Sequence, residues 1–134
     1  MRPFVNGRII LPRLGIRYPV SLCIDTGADR TIIMPGDGYE MRLPYGRLQA
    51  TSAAVGVGGR VSMYEEQGLV VFMADDRTKH IDEIRFTIAP NERELDALPS
   101  LLGRDIISRW RIDFNPPANE LRCEVVTADR NITP

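Results

Sequence analysis

Short apolar runs rich in β-branched residues recur along this chain, each closed within a few residues by glycine, proline or aspartate, and that punctuation restricts it to a strand-built fold. VSLCI (20–24) alternates and sets Val20, Leu22 and Ile24 on one face, with Ser21, Cys23 and Asp25 on the other. TIIMP (31–35) is a second run, closed by the turn-forming Pro35-Gly36-Asp37-Gly38. FVNGRII (4–10) predicts two short strands about a tight turn at Asn6-Gly7, since that dipeptide tolerates positive φ angles. TSAAVGVGGRVSMYE predicts a hairpin whose tip is nearly pure glycine. GLVVFMAD and IDEIRFTIAP, separated by Asp75-Asp76-Arg77, supply two more strands; RIDFN and LRCEVV, joined by NPPANE, close the chain. NERELDALPS reads as an acidic surface connection with room for a helical turn. Only RDIISRW places Ile106, Ile107 and Trp110 at helical spacing, so one short helix is expected at about 103–110. The expected architecture is all-β, a single domain over 1–134.

Counting residues removes most chemistries. The 17 Lys and Arg nearly balance the 18 Asp and Glu and are scattered, so neither a nucleic-acid nor a membrane partner is expected. No apolar stretch reaches the roughly 18 residues of a membrane span, and MRPFVNGRII lacks the apolar core of a signal peptide, which together point to a cytoplasmic protein. Cys23 and Cys123 read as two buried free thiols. His80 is the single histidine and reads as a surface residue, so Ser-His-Asp and Cys-His nucleophile systems lack their parts. Gly56, Gly58 and Gly59 match no phosphate-binding loop, and no cluster of Cys, His and acidic residues has zinc-site spacing; no metal or cofactor is expected.

What remains is LCIDTGADRT (22–31), where an acid ends an apolar strand. An aspartate there must be paired, hydrogen-bonded or chemically employed, because an uncompensated buried charge is costly. In Asp-Thr-Gly a short hydroxyl residue and a glycine let a tight loop hold the carboxylate out of the strand while backbone amides orient it. The apolar strand ending in DTGA, the hairpin AVGVGG some thirty residues on, and LLGRDII near the C-terminus together resemble the retropepsins, the single-domain aspartic proteases of retroviruses and their cellular and bacterial relatives.

The resemblance implies a closed β-barrel or sandwich carrying a glycine-tipped flap and an aspartic endopeptidase acting on peptides or proteins. Such an enzyme needs two aspartates about a water, and the chain has one Asp-Thr-Gly and no Asp-Ser-Gly, so a homodimer with one Asp25 per subunit is implied. Thr26, Gly27, Ala28 and Asp29 would support the catalytic Asp25, with Arg104 pairing Asp29 as a buried carboxylate and Asp105 helping to start the helix. Arg30 and Ile32 would line the substrate cleft, Arg30 favouring polar or acidic side chains, and Val55, Gly56, Val57, Gly58 and Gly59 would form the flap. Alanine at 28 offers the carboxylates no hydroxyl donor where pepsin-like relatives have serine, which implies activity at weakly acidic to neutral pH. Viral members interleave terminal strands at the dimer base, whereas NPPANELRCEVV continues this chain into a hairpin; RIDFN and LRCEVV are expected at that interface in another strand order. The competing reading is a dimeric module of the same fold that binds peptides or drives assembly with little or no proteolysis, against which the intact DTGA weighs. Cleavage from a longer precursor would leave the chemistry unchanged.

Overall fold

The computed structural model describes residues 2–55 and 59–134. Among the described residues ten strands dominate: β1 (Phe4–Leu11), β2 (Ile16–Ile24), β3 (Ile32–Ile33), β4 (Gln49–Val55), β5 (Gly59–Met73), β6 (Lys79–Ile88), β7 (Leu101–Leu102), β8 (Trp110–Asn115), β9 (Glu120–Val125) and β10 (Arg130–Ile132). Two short helices, α1 (Pro35–Glu40) and α2 (Arg104–Ile107), interrupt them. Hydrogen bonding runs β6-β3-β7-β2-β1-β5, and the additional β5–β6 pairing closes these six strands into a barrel. β5 is long enough to serve two partners on one side, with Gly59–Glu65 against β4 and Leu69–Val71 against β1. β4 and β10 extend the barrel wall, while β8 and β9 form a separate two-stranded sheet.

The period of two sorts side chains between core and surface. Ile9 and Leu11 of β1, Val20 and Leu22 of β2, Val70 and Phe72 of β5, and Ile84, Phe86 and Ile88 of β6 are buried in one cluster with Ile33, Leu102, Ile106 and Ile107. Asp82 falls on the same inward face of β6 and is 1% exposed. Its Oδ1 accepts from Arg109 Nη1 at 2.7 Å and from the Asp129 N–H at 3.1 Å. A charge in that position is tolerable only because it is paired.

Four local readings need correction. Asn6-Gly7 makes no turn: β1 runs straight through it, paired with β2 from Phe4↔Cys23 to Leu11↔Ile16. Gly7 is small because β5 lies against it, a Cβ there meeting the Phe72 ring at 2.8 Å and the Val71 carbonyl oxygen at 3.0 Å. The chain reverses instead at a 3-10 turn over Pro12–Leu14, ended by Gly15 in the left-handed region at φ 65°. Pro35-Gly36-Asp37-Gly38 opens α1 instead of forming a turn, with the proline in the first helical turn, where its missing N–H is harmless. The helix expected at about 103–110 is only Arg104–Ile107, since Trp110 already begins β8. Finally, both thiols are free as expected, but Cys23 is only half-buried and Cys123 is exposed.

Candidate active site

Asp25 leaves the end of β2 on a loop fixed mainly by backbone groups. Its N–H donates to the Leu102 carbonyl at 3.0 Å, and its own carbonyl accepts from Ala28 N–H at 3.2 Å. The Gly27 N–H donates to the Asp25 carboxylate Oδ1 at 2.9 Å. A Cβ at Gly27 would lie 3.2 Å from that same oxygen, so the glycine lets the turn close tightly on the carboxylate. Asp25 is half-buried, with Thr26 and Gly27 exposed beside it. The acid is therefore not sealed within the barrel.

The segment LLGRD is stitched to this loop. Arg104 N–H donates to the Ala28 carbonyl at 2.8 Å and Asp105 N–H to the Asp29 carbonyl at 3.2 Å, so α2 begins on loop backbone. Asp105 does not merely favour the helix N-terminus as expected. Its carboxylate accepts from the Thr31 N–H at 2.9 Å and the Thr31 hydroxyl at 2.8 Å, while Thr31 Oγ1 accepts from Gly103 N–H at 3.2 Å. Thr31 is fully buried, so these bonds satisfy polar groups out of reach of water. Gly103 packs so closely on Arg30 that a Cβ would overlap the Arg30 carbonyl group. Sequence reasoning missed Thr31 altogether; a threonine opening an apolar run is the ordinary look of a strand residue.

Arg104 and Asp29 pair through Nη2 and Oδ1, as the resemblance implies, but at the surface: the Asp29 side chain is 82% exposed. Arg104 Nη1 also donates to the Thr26 carbonyl at 3.3 Å, so one guanidinium ties two points of the loop together. Arg30 is exposed and donates to Glu65 of β5 at 3.1 Å, and Arg85 of β6 reaches the other oxygen of Glu65 at 3.3 Å. Ile32 is half-buried in β3, paired with Leu101 and Thr87. Of the expected flap, Val55 and Gly59 are ladder partners at the far end of β4 and β5. Gly56, Val57 and Gly58 lie outside the described residues. An apolar groove of about 480 Å³, bordered by Pro12, Gly68, Leu69 and Ile81, includes none of residues 25–30.

The sequence matches the family model described as retroviral aspartyl protease over residues 2–115. The chain belongs to the retroviral aspartyl protease family. That match covers the barrel, the Asp25 loop, α2 and β8, and leaves β9 and β10 beyond it. A retropepsin-like aspartic protease from Rickettsia conorii shares the fold with a TM-score of 0.58 at 14% identity, over 90% of this chain and 88% of that one. EIAV protease, solved in complex with the inhibitor HBY-793, does so with a TM-score of 0.53 at 23% identity, over 81% of this chain and 86% of that one. Among curated proteins no sequence matches.

Proposed function

We propose that the chain is an aspartic endopeptidase active as a homodimer, each subunit contributing one Asp25. The observation that carries this reading is the loop itself: a single Asp-Thr-Gly whose carboxylate is oriented by Gly27 N–H, half-open to solvent, on a segment fastened to α2 at both backbone and side-chain level. Such fastening suits a group that must hold its geometry during a reaction. One carboxylate cannot serve as both base and acid in the same step. A two-fold axis beside Asp25 supplies the second from an identical surface.

Two carboxylates about 3 Å apart repel by roughly 5 kcal/mol at an effective dielectric of about 20, so the pair holds one shared proton, as in aspartic proteases generally. The ionised member takes a proton from water, which attacks the peptide carbonyl, and the protonated member donates a hydrogen bond to the developing oxyanion. The apparent pKa values belong to the pair. Thr26 would stiffen the two loops across the axis, and Gly27 would admit substrate backbone close to the carboxylates. Ala28 gives the dyad no hydroxyl donor, so the rate should peak at weakly acidic to neutral pH. The β4–β5 hairpin would close over an extended substrate, and Arg30 would reach its side chains beside Ile32. Two arginines share the single Glu65, which leaves one positive charge in excess and favours acidic or polar substrate side chains there.

Incubation with a peptide library from pH 4 to 8, beside Asp25→Asn and with a statine-type inhibitor, tests the chemistry. Cleavage by the wild type alone, blocked by the inhibitor, is the expected result. Equal cleavage by both proteins would remove Asp25 from the mechanism, and no cleavage by either would favour a peptide-binding module.

A further inference from the structure

The wall formed by β1, β5, β6 and β10 has an outer face with its own pattern. Ile9, Leu11, Val70, Phe72, Asp82 and Ile84 point into the core, so the residues alternating with them point out. Residues directly opposite in a ladder share a side of the sheet. The registers therefore set three rows across the outer face: Arg17–Ile10–Leu69–Glu83, then Arg8–Val71–Ile81–Arg130, then Met73–Lys79–Ile132. Six of these positions are apolar and adjoin one another, and the strip ends on Met73 and Ile132, which are 59% and 52% exposed. Arg8 and Arg17 stand on its β1–β2 side, Lys79 and Arg130 on its β6–β10 side. All four are exposed, and none is ion-paired among the described residues. The rows hold one acid, Glu83, so this wall is cationic although the chain as a whole carries a net charge of −1.

We propose that this wall is a docking surface for an acidic amphipathic helix of a partner protein. An apolar sheet face is ordinarily buried under a helix layer, and here the helix would lay its apolar stripe along β5. Its carboxylates would reach Arg8 and Arg17 on one flank and Lys79 and Arg130 on the other. From Leu69 to Met73 the strip runs about 13 Å, the length of roughly nine helical residues. The surface is separate from the Asp25 loop and does not depend on the protease reading.

Charge and shape select this occupant over others. A second copy laid face to face would bring four unpaired cations against four, which costs binding. An added strand has no edge to join, because β5 at Leu69–Val71 lies between β1 and β6, and β6 at Lys79–Ile81 lies between β5 and β10. A bilayer takes up apolar side chains that project, whereas Leu69 and Ile81 are half-buried and line a groove of about 480 Å³ together with Pro12, Arg13, Asp129 and Arg130. Arg13 and Asp129 in that lining are already committed to Glu66 and Arg109, which leaves the four free cations to choose the partner's charge.

Titration of the isotopically labelled full chain with a synthetic helical peptide, followed by amide NMR, tests the surface. The probe has about 14 residues, with leucines at helical spacing on one face and glutamates on both flanks. Its shifts should be confined to residues 8–10, 69–73, 79–83 and 130–132. At an ionic strength of about 0.15 M it should bind at least about tenfold more tightly than the same peptide with lysines for glutamates, and than a scrambled peptide of the same composition. Lys79→Glu combined with Arg130→Glu should weaken it at least about tenfold, whereas Arg111→Glu with Arg122→Glu, the same change of net charge on the β8–β9 hairpin, should alter it less than about threefold. Circular dichroism verifies that both double variants fold. No binding by the wild type, equal binding of the scrambled peptide, equal weakening by the two double variants, or shifts elsewhere would each overturn the proposal. Vesicles of phosphatidylcholine and phosphatidylserine should leave these amides unmoved; if they shift the same residues and the peptide does not, the wall is a membrane surface and the helix reading fails.

Discussion

Gly103→Ala should dismantle the site from beneath. A Cβ at this position would lie 2.9 Å from the Arg30 Cα and overlap its carbonyl group, whereas ordinary contact begins near 3.4 Å, so α2 and the loop must part by at least about 0.5 Å. The obstacle is backbone and cannot rotate away. Parting stretches three hydrogen bonds at once: Arg104 N–H to Ala28 at 2.8 Å, Asp105 N–H to Asp29 at 3.2 Å, and Gly103 N–H to Thr31 Oγ1 at 3.2 Å. Overpacking strain of about 1–3 kcal/mol and weakened bonds of up to about 1 kcal/mol each give a loss of roughly 3 kcal/mol, a large share of the 5–15 kcal/mol usual for a domain. With an m-value of roughly 1.5 kcal/mol/M, the urea midpoint should fall by about 2 M. The comparison is Gly46→Ala, whose Cβ would meet nothing within 4 Å and which should stay within about 0.5 kcal/mol of wild type. Protein concentration must be held constant across the series, because the proposed dimerisation would shift the midpoint. Gly103→Ala unfolding at the wild-type midpoint would refute the claim that α2 and the Asp25 loop are locked together by contact.

Arg109→Ala should cost about 3 kcal/mol in denaturant titrations, because it leaves the Asp82 carboxylate buried without its cation; adding Asp82→Asn should recover most of the loss, and no recovery would mean the pair is not the cause. The Tyr18 hydroxyl, pushed up to about 12 by burial and by donation to Asp37 at 2.9 Å, predicts an alkaline effect. Its folded value lies above the usual 10, so the stabilisation is complete below pH 10 and is lost as pH rises towards 12. Unfolding followed from pH 8 to 12 should therefore show the gap between wild type and Tyr18→Phe shrinking above pH 10; a constant gap would contradict this.

The barrel was legible in the sequence wherever alternation meets burial. VSLCI and IDEIRFTIAP read correctly because one face of each strand is core and the other is not, whereas GLVVFMAD, expected as a separate strand, continues the second arm of the glycine hairpin as the single long β5. Asn6-Gly7 misled because a glycine needed for close approach of β5 looks the same as one needed for a turn. Pro35-Gly36-Asp37-Gly38 misled because packing chose those glycines: a Cβ at Gly36 would meet the Asp96 carbonyl oxygen at 2.8 Å, which overrides poor helix propensity. β10 was invisible: three exposed residues acquire strand structure only from the β6 edge they join. At the site, DTGA and GRD announced themselves as motifs, and the Asp29–Arg104 pairing followed, at the surface and not buried as expected. The bond from Asp105 to Thr31 spans residues 74 apart in sequence, and no local pattern encodes it.

In the proposed enzyme two Asp25 carboxylates from separate copies work as one unit. The direct measurement is the cleavage rate of a fixed amount of wild-type protein after equilibration with increasing Asp25→Asn. Random pairing predicts that an equal amount of the variant lowers the rate to about half and a ninefold excess to about a tenth, because mixed dimers carry one aspartate. A rate that stays constant as the inactive variant is added would mean that each chain cleaves alone, and the shared dyad would have to be abandoned.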